Sequence, residues 1–293
     1  MRRFVILLFL LVFSLSSKSQ DQYRVQRKEF ALYNIGIGGL AGGLGAWVNK
    51  RKEQKWHRVL LKGMAQGLLG GYLMHQGKNL TYQIYDQERY SYAWPAHLVH
   101  AAGASIVQNA ASNRNFWEHW HINLWLFRLD YDLPDRCFRA RVFPSSIYGV
   151  FDVREAGKLN WSKSLKTGFI FFDAKNATYL GYASVTSMAV GLDQSVYPSI
   201  SKYEIGAHEV MHLLQYEGFV YVNPLFNKVD AKWKERFTWY KTLSKFIYFD
   251  FNGLYFLAAY DWIGGGKYRF CYWDNFFEKE AEHYSNRKYL SCP

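Results

Sequence analysis

The sequence predicts an α+β protein in which glycine-rich helices, a mainly antiparallel sheet and a second set of helices follow one another along the chain. Three observations predict this order. Small residues recur at helical spacing between positions 31 and 111, apolar and polar residues nearly alternate between 116 and 192, and helical periodicity returns after 199. A chain of 293 residues, of which 49% are apolar, is long enough to bury the core that this arrangement needs.

Residues 1–19 have the layout of a secretory signal peptide. Arg2 and Arg3 precede an apolar run from Phe4 to Ser16, and small residues follow, among them Ser19. The alternative is an uncleaved membrane anchor, for which the apolar run is short. We therefore predict cleavage before Gln20 and an exported protein that is periplasmic, associated with the cell envelope, or extracellular.

The exported chain is basic. Removing residues 1–19 takes away three cations, so the formal net charge falls from +12 to 12 − 3 = +9. The remaining cations are scattered along the chain and form no dense stripe, which argues against nucleic-acid binding. In an exported protein such a charge favours adhesion to the anionic surfaces of a membrane or cell envelope.

Cysteine is scarce, which excludes a disulfide framework. The chain has three cysteines, at positions 137, 271 and 292, so one bridge at most can form within it. In an oxidising compartment Cys271 and Cys292 are the pair that we expect to form it.

The helical region, residues 20–115, is rich in small residues. Ala31–Val48 contains six glycines, Trp56–Gly77 contains three glycines four residues apart, and small residues cluster in Trp94–Ala111. Such spacing lets the backbones of neighbouring helices approach closely. Polar residues such as Lys62 and His97 interrupt the apolar runs, whereas a spanning helix needs about 20 mostly apolar residues. We predict tightly packed helices of a soluble or surface-associated domain, with a membrane-spanning bundle as the alternative.

The middle region, residues 116–192, is predicted to form one antiparallel sheet of about four strands. Asp132 to Asp135 has the composition of a tight connection between two of them. The strands are too few and too irregular to close a membrane barrel unaided. An edge strand in the last segment could hold an extended peptide. The predicted strands are 121–131, 137–143, 164–172 and 182–192.

The last region, residues 199–290, returns to helical periodicity. Ser201 is followed three residues later by Glu204, which is the capping-box spacing at the start of a helix. A long aromatic helix is predicted over 230–249. Three consecutive glycines at 264–266 then break the chain before a final helix over 275–287.

The segment His208-Glu209-Val210-Met211-His212 has the spacing of a zinc-binding helix turn. Two histidines four residues apart project from the same face of a helix, so both rings can reach one zinc ion at about 2.0–2.1 Å. Glu209 emerges beside that face and can take a proton from a zinc-bound water, whose pKa the metal lowers towards about 7. The alternative is an amphipathic helix that carries two histidines by chance.

A third protein ligand is needed, since a catalytic zinc site has three and leaves the fourth position to water. Gly218 stands where the extended metzincin motif would have its third histidine, which excludes that type. Glu278 is the best candidate, and Glu282, one turn further along the same helix face, could orient a ligand histidine. Glu280 would point away into solvent. The alternative is an acidic surface helix.

Other histidine pairs are weaker candidates. His119 and His121 share one face of a strand and could bind a metal, although such pairs are more often incidental. His97 and His100 lie three residues apart in an apolar helix, and we predict that they are core or interface residues.

The segments "HEVMHLLQYE" and "FFEKEAEHYS" together resemble gluzincin-type zinc metallopeptidases, in particular the M48 peptidases and DUF4157-like domains. The resemblance covers about residues 201–287, and residues 20–200 match neither family. Met211 stands where M48 peptidases usually have glycine. The resemblance implies one zinc ion with the following residues around it: His208, His212 and Glu278 as ligands, Glu209 as general base, Glu282 in place of an orienting aspartate, and Gln215 as the glutamine of the DUF4157-like pattern.

The expected function is therefore that of a zinc-dependent hydrolase, with a peptide or protein as its substrate. Residues 116–293 would form the metallopeptidase-like domain and residues 20–115 a separate glycine-rich helical region. The alternative is a non-catalytic zinc-binding protein of the cell envelope that acts as a scaffold, because the peptidase resemblance leaves residues 20–200 unexplained.

Overall fold

The computed structural model describes residues 24–174, 180–191, 199–262 and 275–285. Helices dominate this part of the chain, and two small sheets lie between the first and the last helices. The predicted α+β class is confirmed. The three long helices of the first part end within three residues of the predicted positions, but the first begins at Arg24, seven residues before the predicted start at 31. Together with one short helix they are α1 (Arg24–Val48), α2 (Trp56–Leu80), α3 (Tyr82–Asp86) and α4 (Ala93–Ala111).

Glycines let α1, α2 and α4 pack backbone against backbone. A β-carbon added to Gly38 would lie 2.5 Å from the carbonyl oxygen of Gly67, closer than real contacts allow. The same distance separates an added β-carbon on Gly103, in α4, from the carbonyl oxygen of Gly70. The predicted close approach of these helices is confirmed, and it explains why the small residues recur on the faces where the helices meet.

Replacing Gly67 by alanine is expected to lower the free energy of unfolding, although alanine is the better helix former. The added methyl group would collide with the backbone at Gly38, an overpacking that costs about 1–3 kcal/mol. Gly36→Ala is the matched control, because nothing lies within 4 Å of an added β-carbon there. Urea unfolding, monitored by circular dichroism, measures the free energy of unfolding of both variants. Equal stabilities of the two variants would contradict the close packing.

The first sheet is antiparallel, with the order β1-β2-β3. The predicted strand 121–131 is wrong as a single strand, because the chain turns at Trp125, where φ is 56°, and pairs with itself. The predicted connection at Asp132 to Asp135 does join the second strand to the third. The strands are β1 (His119–Leu124), β2 (Phe127–Asp132) and β3 (Cys137–Val142).

A buried ion network occupies the face of this sheet that packs on α4. Asp130 Oδ1 lies 2.8 Å from Arg128 Nε and 3.0 Å from His119 Nε2, and Arg141 binds the other carboxylate oxygen. Burial acts to raise the pKa of Asp130, but Arg128 and the other partners lower it far below its usual range. Burial lowers the pKa of His119, so its ring is a hydrogen-bond partner of Asp130. Among the described residues His119 and His121 belong to no group of three potential metal ligands.

The second sheet is mixed, with the order β4-β5-β7-β6 and a parallel pairing of β5 with β7. The prediction of one antiparallel sheet is therefore wrong. The third predicted strand, 164–172, is wrong in its first half, because α6 occupies that half and ends at Gly168, where φ is 78°. The elements are α5 (Pro144–Arg154), β4 (Gly157–Leu159), α6 (Trp161–Thr167), β5 (Ile170–Ala174), β6 (Gly181–Ser184) and β7 (Ser187–Val190).

The last part of the described chain is helical, as predicted. The long helix predicted over 230–249 is wrong, because extended backbone at Phe237 separates two short helices, and the chain then pairs with the first sheet at Ile247. Gly264–Gly266, Cys271 and Cys292 lie outside the described residues. The helices are α7 (Lys202–Gly218), a 3-10 segment (Phe219–Phe226), α8 (Asn227–Arg236), α9 (Thr238–Leu243), α10 (Asn252–Trp262) and α11 (Phe276–Ser285).

Helix α7 lies at the centre of this packing. Its Ile205 and Leu213 face the second sheet in the largest apolar cluster, beside Phe171 of β5. On its other side Met211 packs against Ala281 of α11 and against α1. The helix is thus held on both sides, which fixes the direction of the polar side chains that it carries.

Candidate metal centre

The HExxH turn lies in the buried middle of α7. The helix begins at Ser201, whose hydroxyl accepts a hydrogen bond from the backbone N–H of Tyr203 at 3.2 Å, so the predicted cap is confirmed. His208 and His212 are 3% and 8% exposed. Both rings project from the side of the helix that packs against α11, as their four-residue spacing predicts.

Three potential ligand groups converge between α7 and α11. The Nε2 atoms of His208 and His212 lie 3.0 Å apart, and the carboxylate of Glu278 lies 3.2 Å from the first and 3.3 Å from the second. Ligands held at about 2.0–2.1 Å in a tetrahedral zinc site would be about 3.4 Å from one another. Oε2 of Glu278 is buried and accepts no hydrogen bond from the described residues. The donor set and its spacing therefore fit one zinc ion.

The three groups attract one another electrostatically. Burial acts to lower the pKa of His212, but the carboxylate of Glu278 outweighs it and raises this pKa to about 9. Burial likewise acts to raise the pKa of Glu278, and His212 brings it far below its usual range. The cluster thus holds a proton that a metal ion would have to displace on binding.

A further side chain contacts each of the three candidate ligands. His212 Nδ1 lies 2.9 Å from Oε1 of Gln215, whose amide nitrogen donates to the carbonyl oxygen of Phe277. Since that bond fixes the amide orientation, Oε1 accepts, Nδ1 carries the proton, and Nε2 presents its lone pair to a metal. Glu282 Oε1 lies 3.5 Å from His208 Nδ1. Glu282 is thus beside a histidine of the HExxH turn, where a residue that orients this ring would have to be.

Tyr260 was not anticipated from the sequence. Its hydroxyl donates a hydrogen bond of 2.7 Å to Oε1 of Glu278, the proposed third ligand. Tyr260 lies on α10, eighteen residues before Glu278, and no motif distinguishes it from the other aromatic residues of that helix. Only the packing of α10 against the metal centre reveals this contact.

Glu280 is buried, and the prediction that it is solvated is wrong. It is 0% exposed, and its carboxylate binds Lys78 Nζ at 2.8 Å, Asn34 Nδ2 at 2.7 Å and Gln215 Nε2 at 3.0 Å. Helix α11 is therefore not an acidic surface helix. Two of its faces are buried, one against α7 and one against the glycine-rich helices, because α1 and α2 pack beside the metal centre.

Lys78 and Asn34 connect the N-terminal helices to the metal centre. Lys78, on α2, is 3% exposed. Its ammonium group donates a hydrogen bond of 2.9 Å to Asn34 on α1. Burial acts to raise the pKa of Glu280, but Lys78 keeps it below the usual value. Gln215 joins this carboxylate to His212, so residues far from the HExxH motif in sequence help to position that histidine.

Glu209 lies against the edge of the second sheet. It is 5% exposed, and a β-carbon on Gly181, the first residue of β6, would collide with its carboxylate. An edge strand is predicted over 182–192, but of the two strands in this segment only β6 lies at an edge of the sheet. The chain turns at Val185, where φ is 54°, and returns as the interior strand β7. The general-base candidate thus lies beside an edge strand.

His97 and His100 are core residues, as predicted, and they share an unpredicted partner. Both bind Oε2 of Glu217, His97 through Nε2 at 3.4 Å and His100 through Nδ1 at 3.0 Å. Glu217 lies on the face of α7 opposite His208. Burial acts to raise its pKa, and the two histidines lower it to well below its usual range. This second cluster anchors α7 to α4.

Comparisons of the chain with protein-family models, with curated proteins and with solved structures find no match. The side chains of the site are therefore what indicates a function. The fold brings together the residues that the sequence analysis selects on α7 and α11, and it adds Tyr260, Lys78 and Asn34 to them.

Proposed function

We propose that the protein is a zinc-dependent hydrolase, exported by its signal peptide, that cleaves peptide bonds. The convergence of His208, His212 and Glu278 within 4.8 Å of one another is the observation that carries the proposal. Two imidazole nitrogens and one carboxylate form the ligand set of a catalytic zinc site, which leaves a fourth position open to water or substrate. Zinc bound there would lower the pKa of a water molecule and polarise a substrate carbonyl group.

Glu209 is the proposed general base. It follows a ligand histidine directly, so its carboxylate emerges beside the ligand face of α7 without being one of the three ligands. From there it would accept the proton of the attacking water and pass it to the leaving amine. The edge strand β6 supports a peptide substrate, because among the described residues it pairs with a strand on one side only, and an extended chain can add to such an edge through backbone hydrogen bonds.

Glu209→Gln is expected to abolish peptide hydrolysis while leaving the metal in place. The substitution keeps the size of the side chain and removes the base, so the hydrolysis rate should fall by about 10²–10⁴-fold. Zinc content should stay near one ion per chain, measured by mass spectrometry of the purified protein. Glu235→Gln, an exposed carboxylate on α8, is the control and should change neither quantity.

Two results would contradict the proposal in different ways. Wild-type protein that binds no zinc would overturn both the metal centre and the enzyme. Zinc-loaded wild type that cleaves nothing in a broad peptide library would favour the non-catalytic scaffold instead.

A further inference from the structure

The outer face of α1 is apolar over most of its length. Between positions 31 and 48 the helix has no charged residue. Leu32, Leu40 and Leu44 are 71%, 55% and 53% exposed. The outer face of a helix in a water-soluble protein usually carries polar side chains. In this stretch every exposed position is apolar: Leu32, Leu40, Leu44, Trp47 and Val48.

Helix α2 extends this surface sideways. The side chain of Leu68 lies against Gly39 of α1, and that of Leu60 lies close to Gly43. Leu68 is itself 42% exposed. The glycines of α1 therefore bring the leucines of α2 into the same face, which we call the outer face. A contiguous exposed apolar surface of this kind marks a site for a partner or a membrane.

Cations surround one end of the outer face. The loop between α1 and α2 and the first turns of α2 contain Glu53 as their one acidic residue, and Trp47 and Trp56 flank the loop. Tryptophans and cations beside an apolar surface are typical of the boundary between water and lipid. The cations are Lys50, Arg51, Lys52, Lys55, Arg58 and Lys62.

The dimensions of α1 suit a lipid bilayer. Its segment Lys28–Val48 has 21 residues and, among the described helices, is long and apolar enough by length and composition to cross a membrane. Only 39% of its most apolar stretch is buried within the protein. The uncharged stretch from 31 to 48 is about 27 Å long, close to the roughly 30 Å of a bilayer's hydrocarbon core.

We infer that the outer face of α1 and α2 inserts into a lipid bilayer and that the cations at its end bind anionic headgroups. Charge complementarity favours this occupant. A bilayer with anionic lipids places an apolar phase next to a layer of negative charge, and the protein presents the same two features side by side. The inference does not depend on the proposed peptidase activity.

Flotation of the purified protein with vesicles tests this surface. One vesicle type is phosphatidylcholine alone, and the other contains phosphatidylglycerol as well. Wild type should float with the anionic vesicles, and its binding should weaken as salt is raised. Leu40→Ser with Leu44→Ser should reduce vesicle binding about tenfold or more, because two large apolar side chains are lost. Lys52→Glu with Arg58→Glu should remove the preference for anionic vesicles.

A matched pair of leucines provides the control. Leu254 and Leu257 on α10 are 67% and 44% exposed, and their replacement by serine should leave vesicle binding unchanged. Wild type that floats with neither vesicle type would overturn the inference, and so would equal binding by the Leu40 and Leu44 variant. If wild type is an oligomer that binds no vesicles and the Leu40 and Leu44 variant is a monomer, a second copy of the chain covers the outer face, and the inference is overturned. Zinc content is measured in parallel, so failure of the metal centre is recognised separately.

Discussion

Replacing Glu278 by alanine is expected to lower the affinity for zinc by more than about a hundredfold. Loss of a group that only orients a ligand costs about 10–100-fold, and Glu278 is a proposed ligand itself. The substitution also leaves His208 and His212 without the carboxylate that lies 3.2 Å and 3.3 Å from their rings. Competition with a fluorescent zinc chelator measures the dissociation constant.

Two further variants sharpen this measurement. Glu282→Gln should weaken zinc binding by about 10–100-fold, as expected of a residue that orients His208. Glu235→Ala removes an exposed carboxylate from α8 and should leave the affinity unchanged. An affinity that Glu278→Ala leaves untouched would show that the third ligand has been assigned wrongly, whether or not the protein hydrolyses peptides.

Replacing Lys78 by methionine is expected to lower the free energy of unfolding by about 3–5 kcal/mol. Methionine keeps most of the length of the side chain but leaves the carboxylate of Glu280, which is 0% exposed, without its cation. Removing one partner of a buried ion pair costs this much because the other charge remains buried and uncompensated. Urea denaturation of the metal-free protein, followed by circular dichroism, measures the change.

A double-mutant cycle separates the ion pair from simple loss of packing. Adding Glu280→Gln to Lys78→Met removes the uncompensated charge, so the double variant should be more stable than Lys78→Met alone. Lys62→Met, an exposed lysine on the same helix, should change stability by less than about 0.5 kcal/mol. A loss below about 1 kcal/mol in Lys78→Met would contradict the view that this pair fastens the N-terminal helices to α11.

Local patterns predicted the glycine-rich helices and the two helices of the site, but they failed for the helix expected over 230–249 and for several strands. The glycine spacing in α1 and α2 and the cap at Ser201 are properties of neighbouring residues, so the sequence contains them directly. The strand prediction over 164–172 failed in its first half because a helix that ends at Gly168 occupies it, and only the last three residues of the segment belong to β5. The parallel pairing of β5 with β7 depends on contacts that no local pattern encodes.

The sequence by itself determined the fold class and the selection of His208, Glu209, His212, Glu278 and Glu282, because helical spacing of four residues places side chains on one face. Only the tertiary structure decided which elements surround these side chains. It buried Glu280 against Lys78, added the hydrogen bond from Tyr260 and brought Gly181 to Glu209. Such contacts join residues that are distant in the chain, and they exist only when packing brings their helices and strands together.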